Sequence, residues 1–329
     1  MSCVGCGLAN LERVRPYRLD SSRGRLLFGA SWLFRCRDCG LVQAKPLPGA
    51  EELADYYATT YRTGGRHGAE AATIRDFPKD NLFYYHRGQS IAALLDPHLK
   101  SRNFSDAPRV LDIGAGFGHL LHAFGERFPR AARTALELSE SCFPHLETLG
   151  IRVIREPIES WLTESAERFD VILLSHVLEH LRQPVEVLQR LRSRLSPNGL
   201  LFVEVPNIPA DSLNRYLDHA WAPRFDEPHL TFFSLATFNA SLQRAGLEVL
   251  FCAPAGPEYR DIPGWRFTLP QIRPFLVRVL PAGIKRALRR NAATTPLQSF
   301  GRAEPFFEYG GRAIWIRSVS APGVGEPAP

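Results

Sequence analysis

From position 109 onward, short apolar runs alternate with segments whose apolar residues recur every three to four positions. The runs predict strands, and the periodic segments predict amphipathic helices, as at Val185, Leu188 and Leu191. Alternation of strand and helix is typical of a parallel, doubly wound α/β sheet, in which ligands bind beyond the carboxyl ends of the strands. The predicted strands cover residues 109–113, 133–138, 152–154, 170–174, 200–205, 247–251 and 313–316.

The first hundred residues have a less regular pattern and predict a separate organisation. A strand at 32–34 lies in a small module that ends at a proline-rich run, Lys45-Pro46-Leu47-Pro48-Gly49. A short helix at 51–57, a glycine-rich loop at 63–68 and a helix at 80–95 are expected next. We therefore predict a module at 1–48, a helical linker or lid at 49–105, an α/β domain at 106–320 with a basic helical insertion at about 256–300, and a flexible tail at 321–329.

Composition narrows the class of protein. The 329 residues are 45% hydrophobic and 22% charged, which excludes a wholly disordered chain. The sequence has no run of about 18 apolar residues that could span a membrane, and its first residues lack the apolar core of a signal peptide. A soluble, cytoplasmic protein is expected. The net charge of +6 is compatible with a phosphorylated substrate, with nucleic acid or with neither.

Four of the six cysteines form two pairs with metal-ligand spacing. Two C-x2-C pairs some tens of residues apart are typical of a tetrahedral Zn²⁺ site, and four thiolates leave no open position, so the metal would be structural. Disulfides are disfavoured in a chain without a signal peptide, and a thioredoxin-type redox pair would need a βαβ context that the second pair lacks. Cys142 and Cys252 are expected to be buried bystanders. The predicted zinc ligands are Cys3, Cys6, Cys36 and Cys39.

A glycine turn follows the first strand of the α/β region. The apolar run 110–113 leads into Gly114-Ala115-Gly116-Phe117-Gly118, and a helix is expected at 119–128. Glycines at such a turn let the backbone approach a bound nucleotide closely. The dinucleotide fingerprint G-x-G-x-x-G would need glycine where His119 stands, so the pattern is G-x-G-x-G. Glu137, at the end of the second strand, can accept hydrogen bonds from both ribose hydroxyls.

Several further segments carry a resemblance to a known family. Residues 169–181 (FDVILLSHVLEHL) and 200–207 (LLFVEVPN) are similar to the fourth and fifth strands of class I S-adenosylmethionine-dependent methyltransferases, together with the residues that follow them. Residues 229–234 (HLTFFS) and the N-terminal cysteine pairs resemble one subgroup, whose members often modify sugars. The resemblance covers nearly all of residues 1–255. It implies a Rossmann-like sheet of seven strands and a small zinc-binding module.

The resemblance also implies where S-adenosyl-L-methionine would bind. The glycine turn would hold the methionine portion of the cofactor. The carboxylate after the second strand would bind its ribose, and two apolar side chains would pack against its adenine. Two residues at the end of the fourth strand would lie near the sulfonium. The residues implied are Asp112, Gly114, Ala115, Gly116, Glu137, Leu138, Ile158, Ser175 and His176.

Methyl transfer to a hydroxyl requires a base that titrates near neutrality, and histidine meets that requirement. His180 and His229 follow predicted strands on the ligand-binding side of the sheet and are the candidate catalytic residues. For His180 the competing interpretation is a packing role beside Glu179. Relatives that C-methylate sugars carry Tyr-x-Glu-His near His229, whereas this chain has Pro228 in place of the glutamate. O-methylation is therefore at least as well supported as C-methylation.

Three functions remain open at this point. The leading one is methylation of a carbohydrate, either a nucleotide-sugar or a polysaccharide or lipid-linked glycan intermediate. The second is an RNA or protein methyltransferase whose zinc module binds the macromolecule. A nucleic-acid acceptor is disfavoured, since the Asn/Asp-Pro-Pro-Tyr/Phe motif of amino-group methylases is replaced by Ser175-His176-Val177-Leu178. The third is a cofactor-binding scaffold without catalysis. Nothing in the pattern predicts an oligomeric state.

Two further segments have two interpretations each. Residues 273–290 are basic and amphipathic, which fits peripheral contact with an anionic membrane, although a solvated face on a surface helix is favoured. Tyr56, Tyr57 and Tyr61 could close over the site, although ordinary packing is favoured for them.

Overall fold

The computed structural model describes residues 1–17, 27–61, 82–102, 104, 106–208, 229–255 and 315–323. The predicted glycine-rich loop at 63–68, the insertion at about 256–300 and its basic segment 273–290 lie outside these residues. Among the described residues, no helix is long and apolar enough to cross a membrane.

The described strands are, in chain order, β1 (Leu11–Pro16), β2 (Trp32–Cys36), β3 (Val42–Lys45), β4 (Arg109–Ile113), β5 (Ala132–Leu136), β6 (Arg152–Ile154), β7 (Phe169–Ser175), β8 (Leu195–Pro206), β9 (Thr231–Phe232), β10 (Leu247–Ala255) and β11 (Trp315–Pro322). The α-helices are α1 (Ala50–Asp55), α2 (Leu82–Ser101), α3 (His119–Arg127), α4 (Phe143–Thr148), α5 (Ile158–Glu164), α6 (Pro184–Ser193) and α7 (Leu235–Arg244). A π-helical turn at Tyr56–Thr60 follows α1, and short 3-10 turns lie at Glu140–Cys142 and Leu178–His180.

Seven strands form the large sheet, in the order β10-β11-β8-β7-β4-β5-β6. The five strands from β8 to β6 are parallel, as the alternation of strands and helices predicts. The expectation of a parallel sheet fails at β11, which runs antiparallel to both β8 and β10. The sheet is therefore mixed. Hydrophobic periodicity locates a strand but carries no information about its direction, so the pattern could not reveal this reversal.

Several predicted boundaries differ from the observed ones, among them the start of β8 at Leu195 instead of residue 200 and the end of β10 at Ala255 instead of residue 251. Helix α2 continues past Pro97 to Ser101, where it was expected to end near residue 95; the ammonium of Lys100 donates to Asp96 at 2.9 Å in its last turn. Strand β11 reaches Pro322, two residues into the predicted tail, because Leu247 pairs with Pro322 at the end of the antiparallel ladder.

Hydrophobic residues cover both faces of the large sheet. On one face, helices α2 and α3 contribute Ile91, Leu95 and Phe124 to a hydrophobic cluster. The cluster also includes side chains of β4 and β7, among them Val110 and Val171. On the other face, helices α5, α6 and α7 pack with residues from the N-terminal cysteine turns, including Cys36 and Leu41. The N-terminal segment therefore shares a continuous core with the large sheet.

A small antiparallel sheet joins distant parts of the chain, in the order β1-β2-β3-β9. Its fourth strand comes from the segment that precedes α7, with Val42 opposite Phe232 and Gln43 opposite Thr231. The amide of Ala44 also donates to the carbonyl of Leu230 at 2.9 Å. This pairing ties the segment that begins at residue 229 to the N-terminal strands.

Candidate active site and cysteine cluster

The two cysteine pairs form turns of the same geometry. Gly7 and Gly40 follow the second cysteine of each pair and have φ of +79° and +78°, a left-handed conformation that favours glycine. Their amides donate to the carbonyls of Cys3 and Cys36, both at 2.8 Å. Each turn thereby points its two sulfur atoms in the same direction, toward the other turn.

The four sulfur atoms of these turns lie close together. The Sγ atoms of Cys3 and Cys39 are 3.6 Å apart, those of Cys6 and Cys36 are 3.5 Å apart, and all four lie within 4.8 Å of one another. A tetrahedral Zn²⁺ with Zn–S bonds of about 2.3 Å places its ligands roughly 3.8 Å apart. The six cysteines all lie among the described residues, and no disulfide joins any of them. The arrangement therefore fits a zinc ion held by four sulfurs, with no position open for a substrate.

The glycine turn and Glu137 are joined by hydrogen bonds. The amide of Gly116 donates to Glu137 Oε2 at 2.7 Å, while Glu137 Oε1 accepts from the amides of Leu138 at 3.0 Å and Ser139 at 2.9 Å. These bonds fix the carboxylate at the carboxyl ends of β4 and β5. Gly114 has φ of +69°, and a Cβ there would lie 2.5 Å from Val177 Cγ2, so the position has no room for a side chain.

Asp112 lies beneath this turn. Its carboxyl is buried, and burial together with the charge of Glu137 raises its pKa well above the usual value, although Arg87 partly opposes the rise. The raised pKa favours the protonated, neutral form of Asp112, which adds no negative charge beside Glu137.

The remaining residues expected at the cofactor follow the same edge of the sheet. Ala115 lies in the glycine turn, and Leu138 follows Glu137 with its side chain partly exposed. Ile158 begins helix α5, just after β6, and is buried. Ser175 ends β7. The structure places these residues together at the carboxyl ends of β4 to β7, and their roles toward the cofactor stay predictions.

His176 has an unusual backbone and two acidic neighbours. Its φ of +55° is left-handed, which is uncommon for a residue with a side chain. Its Nδ1 lies 3.2 Å from Glu179 Oε1, and its Nε2 lies 3.3 Å from Glu204 Oε1. Burial and Arg87 lower the pKa of His176, but the hydrogen bonds to Glu179 and Glu204 outweigh them and raise it. The ring is therefore held between two carboxylates as a donor.

Glu204 on β8 is at the centre of a buried ionic network that the sequence analysis did not identify. Arg87 Nε donates to Glu204 Oε1 at 2.8 Å and Arg87 Nη2 donates to Ser175 Oγ at 2.5 Å, while Arg317 Nε donates to Glu204 Oε2. Burial alone would raise the pKa of Glu204, but Arg87, Arg317 and His176 hold it well below its usual value. Glu204 is the single charged residue in the apolar strand run 200–205, and a buried charge requires a partner. This was the sequence signal that could have indicated the network.

The two candidate catalytic histidines lie side by side. The ring centroids of His180 and His229 are 4.8 Å apart with the ring planes at 72°, and both side chains are buried. His180 Nδ1 is 2.9 Å from the hydroxyl of Tyr57, and its Nε2 is 3.9 Å from Glu179 Oε1. The sequence favoured an ordinary packing role for Tyr57, whereas the structure shows its hydroxyl within hydrogen-bond distance of His180 Nδ1.

Backbone hydrogen bonds hold His229 in this position. The residue that follows it, Leu230, donates its amide to the carbonyl of Glu179 at 2.8 Å and accepts from the amide of Ala44 at 2.9 Å. Strand β9 begins at the next residue and pairs with β3. The histidine pair therefore sits where the N-terminal sheet meets the carboxyl end of β7.

Comparison with known proteins gives an independent result. A family model described as a methyltransferase domain matches residues 83–250, just over half of the chain. The chain is 37% identical over 148 residues to a malonyl-[acyl-carrier protein] O-methyltransferase of Halalkalibacterium halodurans, covering 43% of this chain and 53% of that protein. It is 28% identical over 172 residues to a ubiquinone biosynthesis O-methyltransferase of Dinoroseobacter shibae, covering 49% of this chain and 68% of that protein.

The chain thus spans about half to two thirds of the length of these relatives. Their names refer to acyl-carrier protein and ubiquinone biosynthesis, so they lend no support to the expected sugar acceptor. Among solved structures, the plantazolicin methyltransferase BpumL in complex with SAH is 16% identical with a TM-score of 0.48, covering 82% of this chain and 94% of that one. Coclaurine N-methyltransferase is 19% identical with a TM-score of 0.46, covering 70% of each chain.

Proposed function

Because the chain belongs to the family of class I S-adenosylmethionine-dependent methyltransferases, we propose that it transfers a methyl group to a hydroxyl of a carbohydrate. The acceptor is a nucleotide-sugar or a polysaccharide or lipid-linked glycan intermediate. One observation carries the proposal: a buried histidine pair lies at the carboxyl end of β7, next to β4, whose glycine turn is hydrogen-bonded to Glu137. The reaction takes place in the cytoplasm, where the cysteine cluster stays reduced.

In this proposal the glycine turn, Glu137 and Ile158 bind S-adenosylmethionine, with Ser175 and His176 near its sulfonium. The bound cofactor supplies an electrophilic methyl group. Glu137 accepts hydrogen bonds from the ribose hydroxyls, because three backbone amides already fix its carboxylate and its charge suits hydroxyl donors. Gly114 keeps the turn free of a side chain where the backbone must approach the methionine portion.

His180 and His229 face the acceptor and take up its proton. When the proton of the neutral His180 ring is on Nδ1, that atom donates to Tyr57 Oη and Nε2 keeps its lone pair. The acceptor hydroxyl then gives its proton to Nε2 while its oxygen gains nucleophilicity. Positioning of the oxygen in line with the departing sulfur supplies much of the acceleration.

The second candidate function, methylation of RNA or protein, has one structural feature in its favour. On the N-terminal strands the guanidinium of Arg13 lies 3.4 Å above the ring of Trp32, an arrangement that also suits base stacking. Arg37 nearby is already paired with Glu12 at 3.1 Å, which reduces the free positive charge of this surface. Carbohydrate methylation therefore remains our principal proposal.

An acceptor panel tests the function. The protein is incubated with S-adenosylmethionine and, separately, with nucleotide-sugars, isolated glycans, total RNA and acyl-carrier protein, and each product is analysed by mass spectrometry. We expect a mass gain of one methylene on a sugar hydroxyl, with S-adenosylhomocysteine formed in equal amount. Methylation of RNA or protein alone would favour the second candidate. Cofactor binding without methylation of any acceptor would favour a scaffold without catalysis.

We also propose that the four cysteines bind one structural Zn²⁺. Purified protein should contain about one zinc per chain by plasma mass spectrometry, and Cys39→Ser should lose it and lower the Tm by at least about 5 °C. The matched control is Cys252→Ser, which changes a cysteine on β10 outside the cluster and should keep the metal. Metal-free protein with the Tm of the zinc-loaded form would refute the site.

A further inference from the structure

Glu179 lies among the histidines of the site, although only its neighbours were candidates from the sequence. Its side chain is 1% exposed. Glu179 Oε1 contacts His176 Nδ1 at 3.2 Å and lies 3.9 Å from His180 Nε2. One carboxylate oxygen of Glu179 and one ring nitrogen from each of His180 and His229 lie within 4.8 Å of one another. A single buried carboxylate thus faces three imidazole rings.

The three histidines favour the charged form of this carboxylate in spite of its burial. Burial raises the pKa of Glu179, but His176, His180 and His229 together outweigh it and lower the pKa below its usual value. Glu179 Oε2 makes no hydrogen bond to any of the described residues. Oε1, which faces His180 Nε2 at 3.9 Å, is the oxygen placed to stabilise a positive charge on that ring.

The backbone of Glu179 has a second contact with the site. Its carbonyl accepts the amide of Leu230 at 2.8 Å, the residue directly after His229. Side chain and backbone of one residue thus connect the turn after β7 with the segment that carries the second histidine. A displacement of Glu179 would move both histidines relative to each other.

We propose that Glu179 is a positioning residue for methyl transfer, whose carboxylate stabilises the imidazolium formed on His180 while its carbonyl fixes the segment of His229. The inference rests on the proposed function and adds a residue to it. In the step concerned, the acceptor O–H bond breaks and an N–H bond forms at His180 Nε2, so a neutral ring becomes a cation. The nearby carboxylate balances that charge inside a buried site, where water cannot.

Other charged and titratable groups surround this pair. His176 shares Glu179 Oε1 and also contacts Glu204, which in turn binds Arg87 and Arg317. Tyr57 contacts the opposite nitrogen of His180. Glu179 is the anion whose contact with His180 Nε2 is described, at 3.9 Å, and the effect on that ring is assigned to it.

The test is an NMR titration of the histidine ring protons in full-length protein, which requires no acceptor. Signals of His176 and His180 are assigned with His176→Gln and His180→Asn. In Glu179→Gln both rings should titrate about one pH unit lower than in the wild type, because an anion that stabilises each imidazolium is gone. Glu179→Asp keeps the charge and should stay close to the wild type. Glu186→Gln, an exposed change on α6, is the matched control.

The outcomes separate this inference from the proposed function. Unchanged titration of His180 in Glu179→Gln, in protein that still binds S-adenosylhomocysteine, overturns the inference whatever the acceptor panel shows. A shifted titration without methylation of any acceptor would support the stabilisation of the His180 imidazolium by Glu179 and refute the function in which that stabilisation is used. Once an acceptor is known, the kinetics of Glu179→Gln can be measured as well. The acidic limb of its pH–rate profile should move to lower pH, because His180 loses its proton at lower pH. Its kcat should fall about tenfold or more, while its KM for S-adenosylmethionine stays within about twofold of the wild-type value.

Discussion

Replacing His180 and His229 together with asparagine should lower kcat by a factor of about 10² to 10⁴, the usual contribution of a general base. The centroids of the two rings are 4.8 Å apart, and both rings have Glu179 as an acidic neighbour. Either ring can therefore partly take up the acceptor's proton when the other is removed. Each single variant should therefore lose less than the double variant, and the losses should not add.

The affinity for S-adenosylhomocysteine distinguishes a catalytic loss from a folding defect. Calorimetry should give a dissociation constant within about twofold of the wild-type value, because the predicted cofactor contacts lie at the glycine turn and not at these rings. His98→Asn, in the last part of α2, is the control histidine and should leave turnover unchanged. Full turnover in the double variant would remove the histidines from the mechanism.

Glu137→Gln should weaken S-adenosylhomocysteine binding by a factor of about 10 to 100, as expected when a charged acceptor of hydrogen bonds loses its charge. The amide oxygen can still accept from the amides of Leu138 and Ser139, but the NH₂ group cannot accept from Gly116 or from a ribose hydroxyl. Both the fixed turn and the ribose contact are affected, which makes this the largest single effect expected on cofactor affinity.

The matched control for this change is Glu164→Gln, which alters an exposed glutamate at the end of α5. Its affinity should equal that of the wild type by calorimetry. The Tm values of the two variants should differ little without cofactor. They should differ much more at saturating cofactor, since bound ligand stabilises only the protein that binds it. Wild-type affinity in Glu137→Gln would show that the ribose is bound elsewhere.

Local patterns in the sequence predicted the parts of this molecule that depend on local chemistry. The strand before Gly114, the acidic residue after the second strand and the spacing of the cysteine pairs all follow from short stretches of chain. Residues 109–113 and 152–154 coincide with β4 and β6. In β4 the four residues after Arg109 are buried, and a strand buried on both faces gives a nearly continuous apolar run.

Contacts between distant residues could not be read in the same way. Tyr57 and His180 are 123 positions apart, and Arg87 and Glu204 are 117 apart, so no window of sequence contains both partners. Strand β9 has two residues, too few to show any periodicity, yet it joins the segment of His229 to the N-terminal sheet. The arrangement of the histidine site is a product of these long-range contacts.

The most direct test of the central claim is a crystal structure of the protein with S-adenosylhomocysteine. We predict the ribose hydroxyls within hydrogen-bond distance of Glu137, the methionine portion along Gly114 to Gly116, and the sulfur atom pointing toward the side of the sheet where His180 and His229 lie. Cofactor bound away from Glu137, or with its sulfur directed away from the histidine pair, would contradict the account.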